Sequence, residues 1–287
     1  MQIRDALAYF VVQLQADGRS ANTVAQYQRH IGQLLMWMGA NEGGVAVEDI
    51  DHQVLARFLA SPVVTTKKDG SPKKQTSINA LRSSLRAFFG YLHDAGYAAC
   101  DHGRLIRRAQ ASSAPPRWLD EEKQKKLLEV LRGEDGGRDY ALFATLLLAG
   151  LRIGEALALR AEDVDLQRME LRLRRTKAGA DDRFPLSKSL AAVLGPYVQG
   201  RKLYMFEGPS GRPLTARHAR RQLRQWLERA GLPTLSPHGL RHSFAMSLYR
   251  RTKDPLLVQR ALRHRSVVST AVYARPSESR LRAAIGG

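Results

Sequence analysis

Two histidines and an arginine fall within five residues in SPHGLRHSFAM, residues 236–246, at the start of an apolar helical run. His238 and His242 stand four apart, the spacing that turns two imidazoles to one helical face in zinc peptidases. Here Gly239 follows His238, where that chemistry needs a glutamate base, and Arg241 would repel a dication. No carboxylate third ligand is near, so these residue types argue against a metal centre. As a helix start, Ser236 is a natural N-cap and Pro237 suits the first helical position. His238 then lies in the first turn, where unpaired backbone N–H groups and the helix dipole favour an anion. Arg241 follows one turn on, with Leu240, Phe244 and Leu248 as the buried stripe. An imidazole beside a guanidinium, which offers two parallel donors, suits a phosphate. His242 is left to structure or to support of the site.

Three other stretches carry side chains that could answer this one. In LLLAGLRIGEALAL, residues 146–159, Arg152 sits in the break between two helices, before a turn that Gly154 allows and a helix that Glu155 begins. Its neighbours are apolar, so the guanidinium leaves a buried wall and needs a partner such as Glu155 or a ligand phosphate. Lys177 stands at the tip of an expected hairpin, where a cationic arm can reach a duplex groove or donate a proton; Arg174, Arg175 and Arg183 are close to it. LVQRALRHRSVVSTAVYAR, residues 257–275, offers His264 after an apolar helix and Tyr273 nine residues later. Taken singly, each has an ordinary reading: a structural ion pair, a solvated lysine, a core or rim tyrosine.

The scaffold for these residues is a 287-residue chain with 44% hydrophobic residues, enough for one large domain or two ordinary ones. Lys and Arg number 46 against 27 Asp and Glu, and the net charge of +19 points to a polyanionic partner, nucleic acid first. The N-terminal helix carries Asp5 and Asp17, unlike a signal peptide, a transit peptide or a basic lipid-binding helix. YALFATLLLAGL is bounded by Arg138 and Arg152, well short of the roughly 18–20 apolar residues of a membrane span. The one cysteine, Cys100, can form no internal disulfide. These features favour a cytoplasmic, nucleoid-associated protein.

Residues 1–112 show helical periodicity, with Leu34, Leu35 and Trp37 in one run and Leu81, Leu85, Phe88, Phe89 and Leu92 in another. Thr76 or Ser77 can cap the second run and Gly96 can end it. Between them TTKKDGSPKK is a lysine-rich loop. Lys73, Lys74, Arg82 and Arg86 are candidate DNA-backbone contacts, as are Arg217, Arg220 and Arg221 in ARHARRQLRQWLERAG. QASSAPPRW reads as a linker, so a second domain is expected over residues 113–287, its first helix capped by Asp120. There, helices surround MELRLRR, whose alternation predicts a strand, and RFPLS, its hairpin partner. The fold class expected is mainly α (α+β): a helical domain followed by a mostly helical one with a small antiparallel sheet.

In this order, GLRIGEALAL, RTKAGADDRFPLS, SPHGLRHSFA and ALRHRSVVSTAVYAR resemble the motifs of the tyrosine recombinases, the family of phage integrases and Xer-type resolving enzymes. SANTVAQYQRHIGQLLMWMG and TSINALRSSLRAFFGYL resemble that family's helical core-binding domain, so the likeness spans essentially the whole chain. The resemblance implies a catalytic set of Arg152, Lys177, His238, Arg241, His264 and the nucleophile Tyr273. It implies a covalent 3'-phosphotyrosine intermediate, formed with no cofactor, metal or ATP. It also implies a two-domain clamp on double-stranded DNA, four protomers on two sites, identical or shared with a paralogue, and a tail segment with Leu281 and Ile285 that docks on a neighbour. Where the family commonly has Leu-Gly-His, this chain has Leu262, Arg263 and His264. The core-binding pattern begins almost at Met1, which favours a compact Xer-like or mobile-element enzyme over a larger integrase. Alternatives with the same residues are a type IB topoisomerase and a catalytically silent DNA-binding regulator.

Overall fold

The computed structural model describes residues 1–39, 45–110, 117–134, 137–174, 182–199, 203–208 and 211–263. The chain divides into two compact units, Met1–Ala114 and Pro115–Gly287.

The first unit is helical: α1 (Ile3–Ala16), α2 (Ala21–Trp37), α3 (His52–Ala60), the single turn α4 (Pro62–Thr65) and α5 (Gln75–Asp94). The amphipathic runs bury Phe10, Ile31, Leu34, Phe58, Leu85, Phe88 and Phe89 in one core. Burial of each such side chain contributes about 1.5–3 kcal/mol relative to exposure. Phe10 sits at the centre, with ring centroids 5.4 Å from Phe88 and 5.1 Å from Tyr91. α5 ends as expected, with Gly96 left-handed at φ +76°. Its start differs: α5 begins at Gln75, one residue before Thr76, and Lys74 holds the cap position without a side-chain cap. The lysine-rich loop is held closed by a Thr66–Pro72 bridge and by Lys73, whose Nζ donates to the Val63 carbonyl at 2.6 Å.

The second unit contains α6 (Glu121–Glu134), α7 (Arg138–Ala149), α8 (Ile153–Ala158), strands β1 (Val164–Asp165), β2 (Glu170–Leu173) and β3 (Asp182–Pro185), then α9 (Lys188–Val198), α10 (Ala216–Arg229), α11 (Pro237–Thr252) and α12 (Pro255–Leu262). Asp120 caps α6 by accepting from the Lys123 N–H at 2.9 Å. α7 is apolar all round because it is the central helix, with α6, α9 and α11 packed on it. Asp139 in its first turn is buried, and it accepts from Trp226 Nε1 at 2.9 Å and Gln222 Nε2 at 3.2 Å, which ties α10 to α7. The sheet runs β1-β2-β3, antiparallel, with Leu171 opposite Phe184 and Arg172 opposite Arg183. Alternation in β2 buries Leu171 and Leu173 as the sequence predicts. β1 was not expected, since two residues are too few to show a period. No described helix is long and apolar enough to cross a membrane.

Candidate active site

Three helix ends in the second unit meet at one carboxylate. α7 stops at Gly150, left-handed at φ +60°, where a Cβ would collide with the edge of the Phe244 ring at Cδ1. The chain then extends through Leu151 to Arg152, the N-cap of α8 (φ −68°, ψ 146°). Glu155, third residue of α8, accepts from the Arg152 backbone N–H at 2.8 Å and from its Nη1 at 2.7 Å. One carboxylate therefore fixes both ends of the arginine. Arg152 lies in the break between two helices as expected, but the turn expected at Gly154 and the helix start at Glu155 are corrected: Gly150 makes the turn, the helix begins at Ile153, and Gly154 lies inside it with open space around its Cα.

α11 begins as predicted, with Ser236 Oγ accepting from the Gly239 N–H at 3.3 Å and Pro237 in the first turn. A side chain at Gly239 would run into Leu235, so the turn packs flat on the preceding loop. One turn on, Arg241 is 1% exposed. Its Nη1 donates to the Gly150 carbonyl at 2.6 Å and its Nη2 to the Leu262 carbonyl. Both acceptors are carbonyls at helix ends, α7 and α12, which lack a partner within their own helix and carry the negative pole of the dipole. Arg241 therefore joins three helices before it meets any ligand.

His238 is exposed at the mouth of this cluster, its ring edge-to-face with His242 at 4.4 Å between centroids. Partial desolvation, then the charges of Arg241 and Arg152, hold its imidazole below the usual histidine range. The ring is neutral at neutral pH and can accept a proton.

α12, capped by Asp254, ends at Arg263 in a left-handed conformation, φ +52°. Arg263 Nη2 donates to Glu155 Oε2 at 2.8 Å, and its guanidinium lies over the Phe184 ring at 5.0 Å. Arg152 Nη2 donates to the Arg263 carbonyl at 3.5 Å, and Arg241 Nη1 is 3.9 Å from Glu155 Oε2. Burial raises the Glu155 carboxyl, but the Arg152 hydrogen bonds and the Arg263 and Arg152 charges outweigh it and leave it low. Three guanidiniums thus surround one ionised carboxylate, beside a neutral imidazole. Such an excess of partly buried positive charge is suited to an anion.

Arg152, His238 and Arg241 are brought together; Lys177, His264 and Tyr273 lie outside the described residues. Among the DNA-contact candidates, Arg217, Arg220 and Arg221 are exposed on α10, and Arg221 Nη2 lies 3.2 Å from His218 Nδ1. Lys74 is exposed at the cap of α5, Arg82 is partly covered, and Lys73 is engaged with its own loop. Arg86 lines a groove shared with Asp17, Asp94 and Asp101, a mixed rather than a cationic surface. From the sequence, Glu155 stood only as one partner for Arg152 and Arg263 only as a departure from a pattern. The i, i+3 spacing of Arg152 and Glu155 was the available signal for the first; nothing local signals the second.

A sequence model of the phage integrase family matches residues 117–280, and one of the phage integrase N-terminal SAM-like domain matches residues 7–96. The chain is 28% identical over 287 residues to the tyrosine recombinase XerA of Pyrococcus furiosus, covering 98% of this chain and 93% of that one. It is 28% identical over 278 residues to XerD of Vibrio vulnificus, covering 92% and 88%. Among solved structures, the Tn1549 transposon integrase in complex with a circular intermediate DNA superposes with a TM-score of 0.76 at 19% identity, over 100% and 99% of the two chains. A XerH site-specific recombinase bound to a difH substrate does so at 0.72 and 22%, over 96% and 84%.

Proposed function

Because the chain belongs to the phage integrase family, we propose that it is a site-specific tyrosine recombinase that cleaves and rejoins double-stranded DNA. The observation that carries this reading is the convergence of Arg152, Arg241 and Arg263 on Glu155 beside a neutral His238. In the cleavage step the Tyr273 phenol oxygen attacks the scissile phosphorus as it loses its proton, and the bond to the 5'-oxygen breaks. The phenol proton passes to His238, and Lys177 gives a proton to the leaving 5'-hydroxyl. Arg152 and Arg241 neutralise the nonbridging oxygens as charge builds in the pentacovalent transition state, with His264 hydrogen-bonding the phosphate. One phosphodiester bond is exchanged for another, so neither ATP nor metal is required. Attack on the 3'-phosphotyrosine by the 5'-hydroxyl of a second duplex, with the proton flow reversed, completes strand exchange.

In this reading the first unit is the core-binding domain and the second the catalytic domain. Four protomers, identical or shared with a paralogue, act on two sites, and the protein works on the nucleoid. A plasmid carrying two copies of a site recovered by covalent trapping of genomic DNA tests it. Recombined circles are expected from the wild type and none from Tyr273→Phe; relaxation of supercoils without recombination would favour the topoisomerase alternative.

A further inference from the structure

Arg263 closes α12 in left-handed backbone, which a residue with a side chain adopts only against strain. Its side chain nonetheless turns inward, 11% exposed, and donates from Nη2 to Glu155. Nε and Nη1 are buried without a hydrogen-bond acceptor among the described residues; Asp182 Oδ2 lies 3.9 Å from Nε, beyond hydrogen-bond distance. The large majority of buried side-chain donors are matched, so two unmatched ones on a single guanidinium are a cost to the fold. Left-handed backbone also ends α11 at Lys253, so what sets Arg263 apart is the combination of that strain with a buried guanidinium whose Nε and Nη1 find no acceptor among the described residues.

We propose that Arg263 is a positioning residue for phosphodiester cleavage, acting on Arg152 through the Glu155 carboxylate that the two share. Glu155 Oε2 receives both the Arg152 backbone N–H and Arg263 Nη2, each at 2.8 Å, while Oε1 holds Arg152 Nη1 at 2.7 Å. Arg263 takes up part of the carboxylate charge, so a phosphate competes less with Glu155 for the Arg152 guanidinium, which is 35% exposed. Without Arg263 the Arg152–Glu155 pair closes on itself, and Arg152 meets the phosphate less often in the productive geometry. The Arg263 carbonyl, which receives Arg152 Nη2 at 3.5 Å, survives any substitution there, so the guanidinium can be tested apart from the backbone. This inference deepens the recombinase reading and rests on it.

The test compares wild type, Arg263→Gly and Arg263→Lys in single-turnover covalent trapping on a nicked suicide duplex, with duplex affinity and Tm measured alongside. Arg263→Gly relieves the strain, so its Tm equals or exceeds that of the wild type and its duplex affinity is unchanged. Its trapping rate falls on the order of 10–100-fold, the scale of a misplaced reacting group. Arg263→Lys, which restores the charge, recovers part of that loss. Arg263→Gly trapping at the wild-type rate, Arg263→Lys no faster than Arg263→Gly, or a Tm that falls together with the rate would each overturn the proposal. A wild type that traps no DNA overturns the recombinase reading itself, and this inference with it.

Discussion

Two arginines of the same site carry different burdens. Arg152 is part-exposed, and Glu155 retains Arg263 when it is removed, so Arg152→Ala should leave Tm nearly unchanged while covalent trapping drops by about 10²–10³-fold. Arg241 is buried and holds the ends of α7 and α12, so Arg241→Ala should lose activity and also roughly 3–5 kcal/mol of stability, read as a fall in thermal midpoint. His238 adds a pH dependence with a definite sign. Its folded-state pKa lies below the ordinary value of about 6.5, so the neutral, proton-accepting form persists to lower pH than in a free histidine. Second-order trapping rates under single-turnover conditions should therefore fall only as pH drops below about 6.5, and His238→Gln should remove that limb. By linkage, the stability contribution of neutral His238 is present above the unfolded pKa and is lost as pH falls through the folded one. The sequence marks Arg152, His238 and Arg241 as residue types suited to an anion, and the structure brings the three together. The burial of Arg241 was not legible in the sequence, because its acceptors are main-chain carbonyls 91 and 21 residues away.

At the scale of elements, the site depends on how helices stop. Both α7 and α12 end in left-handed residues, Gly150 and Arg263, and both present a terminal carbonyl to Arg241. Gly150→Ala would incur the left-handed penalty and collide with Phe244, together about 2–4 kcal/mol, so it should lower Tm and trapping together. Asp139→Ala would leave buried Trp226 Nε1 without this acceptor and loosen α10 from α7, at a cost of about 1–3 kcal/mol measured by denaturant unfolding. Helix periodicity, the Ser236 and Asp120 caps and the alternation in β2 were readable because each is local. The break at Arg152 is readable, but the turn expected at Gly154 falls at Gly150, because both glycines are compatible with a turn and the packing of Phe244 on Gly150 is not visible in the sequence. β1 pairs through two residues only, and its strand character comes from β2 rather than from its own sequence.

For the whole molecule, the net charge of +19 makes duplex affinity depend on salt. If Arg217, Arg220 and Arg221 on α10 face phosphates, the triple alanine variant should weaken binding equally across sequences and reduce the slope of log K against log salt by about 0.9 for each phosphate no longer neutralised. An unchanged slope would remove α10 from the DNA interface. Charge and motif order made the partner and the reaction class legible without coordinates; which of many exposed arginines touch DNA was not legible, since a solvated face and a phosphate-binding face have the same composition. The central claim is that Tyr273 becomes covalently joined to DNA. Peptide mass spectrometry of the wild-type chain trapped on a nicked suicide duplex tests it most directly. A nucleotide adduct on the peptide containing Tyr273, absent from Tyr273→Phe, is the result predicted; an adduct on another residue, or equal trapping by both chains, would contradict it.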